Sequence, residues 1–239
     1  MTVPQNEPLE VLYTRMHTDS CIDIVNTGVR PDEFLRNPEA DGRFGLTLLI
    51  EIDSGITGSL FSIIEEIKRF EPDQYYYPAT DLHITVLDLI AAHEGFRCDE
   101  MEIEAFCSMA FDVVKEVAPF DILFKGLILS LTGVLVKGYY RQGLPTLRDR
   151  IRREAGKRRI VLRERYQSIS AHASLMRFSS PLADRERLLQ FMERSGERSI
   201  GRMTVRNCTL VIHDWYNRRK AVIGRFPLAG GEMYEKENR

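Results

Sequence analysis

Residues 81–87, Asp81-Leu82-His83-Ile84-Thr85-Val86-Leu87, follow the loop YYYPAT and set a histidine and a threonine two positions apart in an otherwise apolar run. In a strand, residues i and i+2 share a face, so His83 and Thr85 point one way while Ile84 and Val86 point the other. Taken alone, the pattern is equally the wet face of an ordinary half-buried strand. A second stretch, His172-Ala173-Ser174-Leu175-Met176-Arg177-Phe178, repeats the order of histidine, apolar residue, hydroxyl, apolar residue. The other three histidines do not, since His17, His93 and His213 have Asp19, Gly95 and Trp215 two places on. The repetition is therefore selective, and it makes the two strands a pair.

Outward from this pair, the two halves of the chain use the same order of elements. GLTLLIEI from Gly45 predicts a strand, and ITGSLFSIIEEIKRF places Leu60, Ile63, Ile64 and Ile67 at helical spacing. The His83 strand follows, then a helix over CDEMEIEAFCSMAFDVVKEVA with acidic residues near its start and Pro119 at its end. FDILFKGLILSLTGVLVKGYY predicts an antiparallel hairpin turning at Leu131-Thr132-Gly133. In the second half, LPTLRDRIRREAGK is a helix, HASLMRF the histidine strand and DRERLLQFMERSG a helix with a glycine stop. MTVRNCTLVIH and AVIGRFPL then form a final pair of strands around the turn DWYNRRK. Residues 1–43, polar and rich in turn signals, read as an N-terminal extension, and 44–239 as one bilobal domain.

With 239 residues, 44% hydrophobic and 28% charged, the chain can bury a sizeable core. Its 33 Lys and Arg nearly balance 35 Asp and Glu, so any site for an anion is local rather than a global basic field. Cys21, Cys98, Cys107 and Cys208 lack CxxC spacing and read as reduced, structural thiols, which points to the cytoplasm. MTVPQNEPLE has neither the basic nor the apolar region of a secretion leader, and no run approaches membrane-spanning length.

LHITV and AHASLMR together resemble the paired signatures of the two-histidine phosphoesterase superfamily, especially its bacterial 2′-5′ RNA ligase and cyclic phosphodiesterase branch. The likeness extends over residues 45 to 228, through GVLVKG, LPTLRDRIRREAGK and CTLVIHDWYNRRKAVIGRFPL. Ala171 and Ala173 depart from it, Ala173 standing where a larger β-branched residue is common. The resemblance implies an α+β fold of two similar lobes, with antiparallel sheets facing a central cleft and helices outside. It implies a metal-independent phosphodiesterase acting at a ribose 2′ position, on a 2′,3′-cyclic phosphate or a 2′-5′ linkage, possible also in reverse as ligation. His83 and His172 would be the catalytic acid and base, in an order left open. Thr85 and Ser174 would donate to the phosphate oxygens, with Arg177 as a further phosphate contact. Strict alternation puts Arg177 on the face opposite His172, so it reaches the site only through a strand end or a bulge.

The chemistry suits the residue types. An imidazole titrates near 6.5, so one ring can accept a proton while the other donates one. Fixed hydroxyl donors stabilise the charge that develops on phosphorus-bound oxygens. No cofactor or metal is called for, no Asp/Glu/His cluster has ligand spacing, and the expected partner is a nucleotide or RNA end bearing phosphate, with no membrane involved. The competing reading is a protein that holds a nucleotide or RNA end in the same cleft without turnover. His213-Asp214 reads as turn chemistry at a strand end. Tyr75, Tyr76 and Tyr77 read as a packing loop or as stacking platforms, and the arginine-dense segment 141–165 as a solvated, partly paired face.

Overall fold

The computed structural model describes residues 9–230. Residues 1–8, which begin the expected extension and hold most of the stretch read for a leader, and 231–239, the end of the expected domain, lie outside the described residues. The elements are α1 (Leu9–Thr27), β1 (Phe44–Glu51), α2 (Ser54–Lys68), β2 (Tyr75–Tyr76), β3 (His83–His93), α3 (Glu100–Val114), β4 (Phe120–Ser130), β5 (Gly133–Tyr139), α4 (Gly143–Arg158), β6 (Ala173–Arg177), α5 (Arg185–Ser195), β7 (Ser199–Val205), β8 (Asn207–Asp214) and β9 (Lys220–Pro227). Side-chain caps start the helices where the polar residues predict: Asp53 accepts from Gly55 N, Asp99 and Glu102 form a reciprocal capping box, and Asp184 accepts from Arg187 N.

Two antiparallel sheets result, a four-stranded one ordered β3-β1-β8-β9 and a five-stranded one ordered β2-β6-β5-β4-β7. Setting β2 aside, each sheet runs from a histidine strand to the strand preceding it through a helix, β1 or β5, and then to two more strands. The two-lobed α+β architecture expected from the repeated element order is present. One contiguous apolar core runs through both sheets, drawing Leu46, Leu48 and Ile50 from β1, Ile84 and Val86 from β3, and Leu175 and Met176 from β6.

The run read as one strand, MTVRNCTLVIH, is two. Arg206 and Asn207 are both exposed, which breaks the alternation, and there the chain leaves one sheet for the other: β7 pairs with β4, and β8 pairs with β1 and β9. The C-terminal hairpin therefore completes the sheet that carries His83.

Within the segment read as polar extension, α1 packs against β4. Tyr13, fully buried, donates its hydroxyl to Gly138 O at 2.9 Å and accepts from Ala171 N at 3.0 Å. His17 Nδ1 accepts from Leu129 N at 3.1 Å. One tyrosine thus satisfies a main-chain donor immediately before His172. No described helix is long and apolar enough to cross a membrane, and all four cysteines are free.

Candidate active site between the sheets

His83 and Thr85 from β3, Ser174 and Arg177 from β6, and His172 just before β6 line one cleft. In β3 the side chains of His83 and Thr85 are half-buried while Ile84 and Val86 are fully buried, the alternation the motif demands. Both strands then break the alternation in the same way. Val86 and Leu87 are buried in succession, as are Leu175 and Met176, and the pairing register shifts at each place, from Leu87 to Thr85 along β1 and from Met176 to Ser174 along β5. A bulge advances the phase by one residue, so the residue five places after each histidine returns to the cleft. On β6 that residue is Arg177, whose Nη2 donates to Ser174 Oγ at 3.3 Å and Nε to Tyr77 Oη at 3.3 Å. On β3 it is Asp88, which the sequence reading did not single out.

The two imidazoles are held differently. His83 Nδ1 lies 2.7 Å from Asp81 O. A carbonyl only accepts, so Nδ1 carries the hydrogen and Nε2 is left for the cleft. Asn217 supports this arrangement, donating from Nδ2 to Asp81 O at 3.1 Å; its left-handed backbone, φ 62°, suits asparagine. His172 Nδ1 lies 2.8 Å from Ser170 Oγ, a hydroxyl that can donate or accept. Burial pushes His172 down to about 4, helped by the positive Arg177. Burial also lowers His83, but there the Asp81 carbonyl and carboxylate work the other way.

Arg148 of α4 joins the two histidine strands. It is 2% exposed, and donates from Nε to Val86 O at 2.7 Å and from Nη2 to Thr85 O at 2.8 Å and Ser170 O at 2.7 Å. One guanidinium therefore spans from the main chain of Thr85 to the residue that orients His172. Its neighbours in the arginine-dense segment are mostly paired at the surface, Arg152 with Glu164, Arg158 with Glu154 and Asp112, and Arg163 with Glu102, as a solvated face requires.

The rest of the cleft was not legible as a motif. Thr47 donates to Asp88 Oδ1 at 3.0 Å, and burial raises the Asp88 carboxyl. The Trp215 ring has two guanidinium groups against it, that of Arg43 4.6 Å from its centroid and that of Arg165 at 4.0 Å. His213 lines the cleft with its ring centroid 6.1 Å from that of His83. The dipeptide signal was half right: Asp214 does build the turn, accepting from Tyr216 N and Arg218 N, whereas His213 turns into the site. Of the three tyrosines, Tyr75 and Tyr76 pair with β6 and Tyr77 lines the cleft. Among the described residues, no group of three or more His, Cys, Asp or Glu is placed to hold a metal ion.

No family model and no curated protein matches the sequence. Solved structures do match in fold. TT0787 of Thermus thermophilus superposes with a TM-score of 0.59 at 16% identity, over 80% of this chain and 100% of that one. A structure titled phosphoesterase gives 0.56 at 16% identity, over 78% and 99%. Apo LigT of E. coli gives 0.53 at 16% identity, over 79% and 99%. The chain shares the fold of these structures. At this identity it is the backbone that is shared, and in it the two histidine strands sit at equivalent positions of the two sheets once β2 is set aside.

The buried histidines make stability depend on pH. Unfolded, each takes up a proton near 6.5, whereas folded His172 does so only at about 4 and His213 at about 3. Between these values the unfolded state binds more protons, so stability is full above pH 6.5 and is lost as pH falls through the window from 6.5 to 4. Thermal denaturation in phosphate-free buffer is expected to give a clearly lower Tm at pH 5 than at pH 7.5. Equal values would show that the rings protonate without unfolding.

Proposed function

We propose that the chain is a phosphoesterase that breaks a phosphodiester at a ribose 2′ position, opening a 2′,3′-cyclic phosphate or cleaving a 2′-5′ linkage. The observation that carries this reading is the convergence of His83, Thr85, His172, Ser174 and Arg177 on one cleft. Further support comes from E. coli LigT, which has been solved in complex with 3′-AMP and with phosphate.

The proposed mechanism gives the two rings different tasks. His172, kept neutral by burial and the adjacent cations, takes the proton of the attacking water. Its oxygen bonds to phosphorus, and the bond to the ribose 2′ oxygen breaks. His83 gives its Nε2 proton to that departing oxygen, since the Asp81 carbonyl on Nδ1 favours its imidazolium. An entering phosphate anion raises both rings and so supplies the charged form of the acid. Thr85, Ser174 and Arg177 hold the non-bridging oxygens and offset the charge that builds there. The same proton transfers run backwards describe ligation, and no step is assigned to a metal or cofactor.

Incubation with a 2′,3′-cyclic nucleotide tests this directly. Turnover to a nucleoside monophosphate with a bell-shaped dependence of rate on pH is expected, one limb for each ring. Binding of the nucleotide with no turnover at any pH from 4 to 9 would instead support the non-catalytic binding protein.

A further inference from the structure

His213 is the polar group of the cleft that the mechanism leaves unused. It is only 7% exposed, yet neither ring nitrogen has a partner in good hydrogen-bond geometry, the adjacent Asp214 main chain giving at most a weak contact. Buried polar atoms are nearly always paired, and leaving one unpaired destabilises the fold. An apolar residue at this position of β8 would avoid that cost, as at Leu210 and Val211, which are apolar and buried. Two unpaired nitrogens in one ring, turned into the cleft beside His83, are therefore groups that acquire partners when the cleft fills.

The chemistry of that partner follows from the ring. Burial holds the imidazole neutral, down to about 3, and a neutral imidazole presents one donor and one acceptor. A phosphate oxygen only accepts and already has Thr85, Ser174 and Arg177. A hydroxyl can meet either ring nitrogen, donating to the bare one or accepting from the N–H. The ring of His213 meets that of His83 edge to face, with centroids 6.1 Å apart, so a group beside an ester oxygen at His83 comes next to His213. In a ribose monophosphate ester that group is the vicinal hydroxyl.

We propose that His213 is a specificity residue that hydrogen-bonds the free ribose hydroxyl vicinal to a phosphate monoester or a 2′-5′ linkage, a hydroxyl that a 2′,3′-cyclic phosphate lacks, so that the cleft prefers such ribonucleotides over their deoxy analogues. The proposal rests on the phosphoesterase reading and narrows its substrate class. It distinguishes His213 from the acid and base, because it touches the sugar and transfers no proton.

Binding, rather than turnover, tests it. Adenosine 2′-monophosphate and its 3′-deoxy analogue form one pair, and adenosine 3′-monophosphate and its 2′-deoxy analogue the other. Each is titrated by calorimetry, with fluorescence of the chain's one tryptophan, Trp215 in the cleft, as a second signal. The wild type is expected to prefer the hydroxyl-bearing member of at least one pair by about tenfold, the worth of one hydrogen bond. His213→Phe is expected to bind both members alike, at the wild type's affinity for the deoxy compound. His213→Asn, which keeps a donor and an acceptor on a shorter stem, is expected to retain only part of the preference. No preference in the wild type, or the full preference in either variant, overturns the proposal while the phosphoesterase reading stands. Failure of the wild type to bind any of the four nucleotides removes both.

Discussion

Alanine at His172 is expected to lower turnover of a 2′,3′-cyclic nucleotide by about 10²–10⁴-fold, the usual worth of a positioned acid or base. Alanine at His83 should do the same. Nucleotide affinity should change little, because the proposed phosphate contacts Thr85, Ser174 and Arg177 remain in the cleft. The double variant should be scarcely worse than either single one, since a base without its acid, or the reverse, completes no proton transfer. The pH profile separates the roles assigned above: losing His172 should abolish the limb that rises with pH, and losing His83 the limb that falls. Removing His172 also removes a ring that folds neutral, so this variant should lose less stability than the wild type between pH 6.5 and 4. Full turnover in either alanine variant, measured by release of monophosphate, would end the acid-base assignment.

How much of this site could be read in advance follows from what a strand pattern encodes. His83 with Thr85 and His172 with Ser174 are each two residues apart, and period two is local, so the shared face was legible. The pairing of the two stretches was legible because the same order recurs. Arg177 was ambiguous because its position depends on a bulge opposite Val134 and Leu135, which belongs to the pairing of two strands and not to one. Asp88 went unseen for the same reason, although it occupies on β3 the place that Arg177 holds on β6. The two bulges give the lobes matching backbones, and the residues they deliver give the cleft a cationic and a carboxyl-bearing wall. His213 and Trp215 reach the site only because β8 crosses back to the first sheet, and Tyr13 only because α1 packs on β4. Such long-range placements leave no periodic trace.

Arg148 carries the second large expected effect, on the fold as well as on the chemistry. Arg148→Met keeps the length and apolar stem but removes three charge-assisted donors from the carbonyls of Val86, Thr85 and Ser170. Each such bond contributes about 1.5–3 kcal/mol, partly offset by no longer burying a charge. A net loss of about 2–4 kcal/mol is expected, lowering Tm by roughly 10 °C in a chain of this size. Because the guanidinium ties the Thr85 main chain to Ser170, which orients His172, kcat should also fall roughly 10–100-fold as the two walls lose their fixed separation. A merely structural arginine would do no more. Arg148 also lowers His172 through its charge, so in Arg148→Met the ring becomes easier to protonate and the limb that rises with pH should move to higher pH. Arg148→Lys tests the two effects apart. It keeps a positive charge but lacks the planar fork, so Tm and kcat should fall while that limb stays in place. If the limb does not move in the methionine variant, Arg148 braces the cleft without tuning the base; if the lysine variant matches the wild type in Tm and kcat, the three-carbonyl fork is not what holds the histidine strands together.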